Sequence, residues 1–426
     1  YKDMQMKTVE KRFVWAFVLI TSCFALWGFA NDITNPMVKL FSKVFRISVT
    51  QGSLVQVAFY GGYFCMALPA ALFIKRFSYK SGVLMGLGLY AMGALMFIPA
   101  AKTGSYWPFL AAYFVLTCGL SFLETSANPL ILNMGDWESA TRRLNLAQSF
   151  NPVGSLCGMF VMMNYIQARM DSTGTAERRE LDDAAYEALK AADLAVAVRP
   201  YVFIGVVLLV VFLLVLLTPM PVQKCQTAGL STTFGSSVRR LWSNKSYRMG
   251  VVAQFFYVGA QITCWTFIIQ YGTKVFMAEG MAEKDAEILS QQLNMVAMVL
   301  FCCSRFLCTV LMRRFRPASM LGVFAAVAFV LTLMVSFAGG RVGIYCLVAV
   351  SFFMSLMFPT IYGLAQKEVG CDAEIGSAGL IMAILGGSLL PPLQAMIIDA
   401  GFVELSFLVP ALCFAVVLLY GVKCRV

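Results

Sequence analysis

The chain has 426 residues, of which 60% are apolar and only 13% charged, and its mean hydropathy is +0.77. A water-soluble domain carries about a quarter charged residues, so the composition excludes a soluble fold and points to an all-α membrane protein. The net charge of +11 is dispersed through short loops, which argues against nucleic acid as a partner.

Apolar runs of about 20 residues, the length that crosses a bilayer, recur from end to end. Twelve are predicted: 13–38, 52–74, 81–101, 107–133, 144–168, 200–221, 249–272, 288–312, 318–338, 343–366, 376–399 and 403–422. A polar stretch at 222–247 divides them into six and six. The expected organisation is therefore a tag remnant and cytoplasmic N-terminus over 1–12, a bundle over 13–221, a cytoplasmic linker over 222–247 and a second bundle over 248–426. A weak repeat supports two pseudo-symmetric halves. Phe73–Phe77 follows the second span as Leu311–Phe315 follows the eighth, and Pro129 in span four answers Pro359 in span ten. Repeats of this kind place a binding site between the halves, midway through the membrane.

The basic stretches Lys75–Lys80, Arg239–Arg248 and Arg313–Arg316 fall on one side, which places both termini in the cytoplasm. The outer loop at 169–199 carries an Ala- and Glu-rich segment, Ala176–Ala195, expected as a short solvated surface helix. None of the 13 cysteines falls in a predicted outer loop and there is no histidine. Neither disulfides nor a bound metal are expected, and the cysteines read as small apolar packing residues.

Asp32 and Glu124 are the only carboxylates within the spans. An acid in hydrocarbon is costly to insert and marks an ion or substrate pathway. Around them lie stripes of polar side chains at helical spacing: Trp27, Asn31 and Asn35 in span one, and Glu124 and Asn128 in span four. Span five opens with Asn145, Gln148 and Asn151, and span seven carries Gln254, Tyr257, Gln261 and Trp265. Stripes of amides cannot face lipid without orphaning donors and acceptors, so they face protein or an aqueous cavity. Pro36, Pro152 and Pro129 cannot donate to the carbonyls of Asp32, Gln148 and Thr125. Each of these carbonyls lies beside a polar side chain, which argues for a hydrated path.

Amides donate and accept as sugar hydroxyls do, and Trp and Tyr faces stack on the C–H surface of a sugar ring. Amides also join membrane helices with no ligand involved, so each of these side chains has a structural reading beside the functional one. Arg305 is the only cation within a span, and it reads either as a structural or gating contact or as a substrate contact.

At these stripes the sequence resembles the fucose–galactose–glucose:proton symporters of the major facilitator superfamily. The stretches that carry the resemblance are Phe24–Asp32, Leu123–Pro129 (Leu-Glu-Thr-Ser-Ala-Asn-Pro), Arg143–Asn151 (Arg-Leu-Asn-Leu-Ala-Gln-Ser-Phe-Asn) and Ala253–Gln261. It implies import of L-fucose or a related neutral hexose with a proton, by a functional monomer of the bacterial inner membrane that uses no cofactor. It assigns Glu124 to proton and sugar coupling, Gln148 and Asn151 to sugar-facing amides, and Gln261 and Trp265 to the cavity wall. Phe358 stands where a relative has a tyrosine. The family's span-one aspartate falls at Asn35, whereas this chain keeps its acid three residues earlier at Asp32, about 4.5 Å along the axis. A sodium-coupled glucose or galactose importer and a drug or metabolite exporter of the same superfamily are the alternatives. The absence of histidine, of metal-ligand pairs and of a serine–base arrangement argues against an enzyme.

Overall fold

The computed structural model describes residues 9–34, 37–47, 51, 54–167, 169–170, 178, 180–221, 234–367 and 369–424. The described residues form helices joined by short turns, with no strand among them. They form two compact units, one holding Lys11–Leu130 and Phe150–Gln223 and the other Ile131–Ser149 and the chain from Lys224 onward. Eleven helices among the described residues are long and apolar enough to cross a membrane.

The first unit contains α1 (Val14–Thr34), α2 (Met37–Val44), α3 (Leu54–Arg76), α4 (Tyr79–Leu95) and α5 (Phe97–Thr103). It also holds most of α6 (Trp107–Leu132), together with α8 (Phe150–Val161) and α9 (Asp183–Leu217). Local chemistry sets several ends. Ser78 caps α4 by accepting from the backbone N–H of Ser81 at 3.1 Å. Gly104 closes α5 with φ near +60°, a conformation open to glycine at little cost. The π-helical stretch Met162–Gln167 follows α8 directly.

Without a hydrophobic drive between helices in lipid, close packing needs small residues at the contact. Gly154-Ser-Leu-Cys-Gly158 on α8 supplies such a pair against α1. A Cβ on Gly154 would lie 1.7 Å from the Ala25 carbonyl oxygen, and one on Gly28 would lie 1.9 Å from that of Asn151. Gly154→Leu is therefore expected to separate the two helices. Overpacking of this kind costs about 3 kcal/mol or more where the neighbour is backbone, and the thermal midpoint in detergent should fall by several degrees or the folded fraction should vanish.

The helix expected in the 169–199 loop is present from Asp183 and is mostly exposed over its first ten residues, but it is not short. Its described part from Asp183 onward is the first part of α9, a 35-residue helix continuous with span six that runs through Pro200. Asp193 is buried there and pairs with buried Arg178 at 2.5 Å. The reason is that Leu194, Ala197 and Val198 give this segment an apolar face that packs inward.

The second unit begins with α7 (Ala140–Gln148). It continues with α10 (Phe234–Ser243), α11 (Lys245–Ala278), α12 (Glu283–Leu311), α13 (Pro317–Ala338) and α14 (Gly340–Met354). α15 (Met357–Gln366), α16 (Ala373–Met382), α17 (Gly386–Asp399) and α18 (Leu408–Lys423) complete it. Several predicted spans are not single regular helices: Met96 stands between α4 and α5 in span three, and span twelve opens with a 3-10 turn at Leu405–Phe407. Span five loses its regular hydrogen bonding after Ser149, between α7 and α8, although Ser149 itself keeps right-handed helical dihedrals. Span ten is interrupted at Ser355-Leu356, and span eleven carries a 3-10 turn at Ala383–Leu385. The linker residues 222–233 lie outside the described residues.

Candidate functional site

Each unit carries its own group of polar side chains. In the first, Glu124 on α6 is 1% exposed, and its Oε2 is buried without a hydrogen-bond partner among the described residues. No lysine or arginine among the described residues forms an ion pair with it. Tyr63 on α3 lies within electrostatic reach of this carboxyl. The Tyr63 ring stacks on that of Trp27 at 6.5 Å between centroids, and Trp27 stacks on Phe24 at 5.6 Å. The Ser121 hydroxyl, three residues before Glu124, donates to the Tyr63 carbonyl at 3.1 Å and joins α6 to α3.

The hydroxyls flanking Glu124 are held by their own helix, as short hydroxyl side chains often are. Thr125 donates to the Ser121 carbonyl at 2.8 Å and Ser126 to that of Phe122 at 2.6 Å. Asn128, one turn on, is fully buried. Asn151 on α8 donates to the Phe24 carbonyl at 3.2 Å, so it faces α1. Asn31 is half-buried on α1. Asp32 belongs to the same helix, but its side chain lies outside the described residues, as does all of Asn35.

The second group is organised by Arg305 on α12, which is 4% exposed. Pro359 has no N–H for the carbonyl of Ser355, and Pro152 has none for that of Gln148. Arg305 serves both: Nε donates to the Ser355 carbonyl at 2.7 Å and Nη1 to the Gln148 carbonyl at 3.0 Å. Its guanidinium also lies 4.7 Å from the Phe301 ring centroid, a cation–π contact that helps a desolvated cation. No carboxylate pairs with it among the described residues. Neighbouring side chains complete the break in span ten. Tyr257 donates to the Met354 carbonyl at 3.0 Å, and the Ser304 hydroxyl donates to the Phe352 carbonyl at 2.7 Å.

Around this centre, Trp265 donates to the Ser351 hydroxyl at 3.1 Å and meets Phe301 edge-on at 5.0 Å. Phe358 meets Tyr257 edge-on at 6.5 Å. Gln261 is half-buried on the same helix as Tyr257 and Trp265. Gln254 is fully buried, and neither amide atom has a hydrogen-bond partner among the described residues.

α7 is tied to the rest of the second unit along its length. The Asn145 amide donates to the Thr360 hydroxyl at 3.2 Å, Ser149 and Thr309 hydroxyls approach to 3.5 Å, and Thr141 packs on Gly363. Arg143 closes the turn before it. Its guanidinium donates to the carbonyls of Ile131 and Leu132 in the last turn of α6, and to the Ser139 hydroxyl. A cation there also complements the negative end of the helix. Burial pushes Arg143 down to about 10, opposed by Asp136, so it stays charged at neutral pH.

The expected site residues therefore divide. Trp27, Asn31, Glu124, Asn128 and Asn151 stand in the first unit, and Gln148, Tyr257, Gln261, Trp265 and Phe358 in the second. Of the stripe drawn through Asn145, Gln148 and Asn151, the first two members belong to the second unit and the third to the first unit, while Ser149 between them keeps right-handed helical dihedrals and donates its N–H to the Asn145 carbonyl at 2.9 Å. Tyr63 was missed, since one tyrosine among 16 has no spacing signal in an apolar span. The double use of Arg305 was legible only from the two prolines taken together.

Residues 20–386 match the Major Facilitator Superfamily. The chain is 48% identical over 431 residues to an L-fucose-proton symporter of Haemophilus influenzae, covering 99% of each. It is 32% identical over 417 residues to a glucose/galactose transporter of Brucella abortus, covering 97% of this chain and 94% of that one. Its structure resembles that of the transporter FucP in the outward conformation, with a TM-score of 0.89 at 34% identity over 97% of this chain and 99% of the other. The proton:xylose symporter XylE shares the fold, with a TM-score of 0.68 at 13% identity over 97% of this chain and 95% of that one. This chain is an integral membrane transporter that belongs to the Major Facilitator Superfamily.

Proposed function

We propose that the protein imports a neutral monosaccharide, L-fucose or a closely related hexose, together with a proton, by alternating access in a bacterial inner membrane. The observation that carries this reading is the Glu124 carboxyl, buried without an ion-pair partner among the described residues. Taking up a proton removes the cost of burying its charge. The neutral acid then serves both as donor and as acceptor to a sugar hydroxyl. The likeness to L-fucose-proton symporters over nearly the whole chain supports the sugar class and the coupling ion.

In this reading Glu124 carries the proton and Asp32 relays it on the outer side. Asn31, Asn35, Asn128, Gln148, Asn151 and Gln261 hold hydroxyls, and Trp27 and Trp265 supply stacking faces. Tyr257 and Phe358 line the wall. The working unit is a monomer of two six-helix halves, 13–221 and 248–426, joined by the cytoplasmic linker 222–247, with both termini inside. No cofactor takes part.

Uptake of a panel of labelled hexoses into proteoliposomes tests the proposal, with pH and sodium gradients imposed separately. An inward proton gradient should drive accumulation of L-fucose above the other sugars, and a sodium gradient at equal pH should not. Accumulation that follows sodium, or no saturable sugar uptake at all, would overturn it.

A further inference from the structure

The short helix α10 precedes the first membrane helix of the second unit and has two faces of different character. One is fixed to protein. Arg240 makes a two-pronged ion pair with Asp372, with Nε on Oδ2 and Nη2 on Oδ1 both at 2.7 Å, and Ser237 and Leu241 are buried. These contacts set the rotation of the helix and occupy Arg240. The other face exposes Phe234, Val238 and Trp242 at i, i+4 and i+8, with Trp242 70% exposed. Such a stripe on a soluble surface would be a liability. Here α11 starts at Lys245, only three residues after Trp242, and α11 is itself a membrane-spanning candidate. Trp242 therefore sits where aromatic side chains collect, at the boundary between headgroups and acyl chains.

Basic charge surrounds the stripe. Arg239, Lys245, Arg248 and Lys423 are all exposed. α11 and α18 pack side by side, with Gly250 against Tyr420. That contact brings the start of α11 to the end of α18, and the Lys245 and Lys423 ammonium groups approach closely enough to interact. Two like charges held together are stabilised by an anion that both can reach. We propose that this corner binds the headgroup of an anionic phospholipid, with Lys245 and Lys423 sharing its phosphate and Phe234, Val238 and Trp242 entering the acyl boundary. A basic amphipathic helix with this division of faces is the form that lies in an interface. Lipid is the chosen occupant because the apolar stripe adjoins the basic pair, whereas a soluble anion would make no use of it.

The test uses the full chain in phosphatidylcholine vesicles containing phosphatidylglycerol, with bromine on the acyl chains of one lipid or the other. Bromine quenches nearby tryptophan, and the Trp242 contribution is the emission that Trp242→Phe lacks. Brominated phosphatidylglycerol should quench it more than the same fraction of brominated phosphatidylcholine. In K245Q/K423Q the local preference for the anionic lipid should fall by about tenfold, given the strength of lysine attraction to anionic membranes. K245R/K423R should retain it. Equal quenching by the two lipids, or a preference unchanged in K245Q/K423Q, would overturn the proposal. So would its loss to added inorganic phosphate at matched ionic strength, which would make the site one for soluble anions. Proton-driven sugar uptake by the variants serves as the fold control, since neither lysine belongs to the polar groups around Glu124 and Arg305.

Discussion

Glu124→Gln should abolish proton-driven accumulation of sugar while leaving sugar exchange across the membrane intact. With one proton per sugar, each pH unit of gradient supports about tenfold accumulation, because a unit of pH is about 1.4 kcal/mol. The glutamine is a fixed copy of the neutral acid, with nearly the same shape and a retained donor and acceptor. It cannot release a proton, so the gradient has nothing to act on and the internal sugar should rise only to the external concentration. Exchange of labelled for unlabelled sugar requires no proton release and should stay within a few-fold of the unaltered protein. The sign follows the same logic, with accumulation expected only when the outside is the more acidic. A Glu124→Gln protein that still concentrates sugar under a pH gradient would move the coupling role elsewhere, and Asp32 would be the next residue to replace.

Arg305→Met should cost more than any replacement of an amide proposed to hold sugar. It leaves the two carbonyls that the prolines deprive of helix donors, those of Gln148 and Ser355, without their cation. A hydrogen bond to a charged group contributes about 1.5–3 kcal/mol, and an orphaned buried acceptor adds its own penalty. The bond to Gln148 fastens α7 to α12, and α7 is the piece of the chain between Leu130 and Phe150 that packs with the later helices. If one transport state makes this bond and the other does not, its loss shifts their balance by about 10- to 100-fold. The expected readouts are a fall in transport of at least about tenfold and faster labelling of a cysteine placed at Thr309. That position is 7% exposed and faces Ser149, and labelling by a hydrophilic thiol reagent is measured above the background of the native cysteines. Arg305→Lys should rescue only part of the loss, since a point ammonium cannot reproduce two directed bonds of a planar fork. Unchanged labelling and unchanged transport in Arg305→Met would remove the latch from the mechanism.

Hydropathy alone made the helical membrane fold legible, because an apolar run of sufficient length has few other structures open to it in lipid. The buried state of Glu124 followed from the cost of placing an acid there. What could not be read was the partition of the polar residues. Helical spacing treats 144–168 as one cylinder and so aligns Asn145, Gln148 and Asn151, yet the residues up to Ser149 pack with the second unit and those from Phe150 with the first. Spacing also describes one helix at a time, and so is blind to Tyr63 on α3, which the fold brings within electrostatic reach of Glu124. Tyr257 carries the same lesson. Its place in a polar stripe suggested a ligand contact, and its hydroxyl is occupied by the Met354 carbonyl at an interrupted helix. Wherever a proline interrupts a neighbouring helix, a polar side chain has a structural employer close at hand.

The uninterrupted α9 has a use of its own. At 1.5 Å per residue its 35 residues reach about 52 Å, well beyond the roughly 30 Å of a hydrocarbon core. A helix of that length extends past the hydrocarbon, and its N-terminal end, held by the buried Arg178–Asp193 pair, is a stiff lever joined to the bundle. An antibody fragment raised against that end, or a rigid protein fused to it, would give single-particle images of this 46.8 kDa chain a feature to align on. Its tilt would then report how the first unit turns when sugar binds.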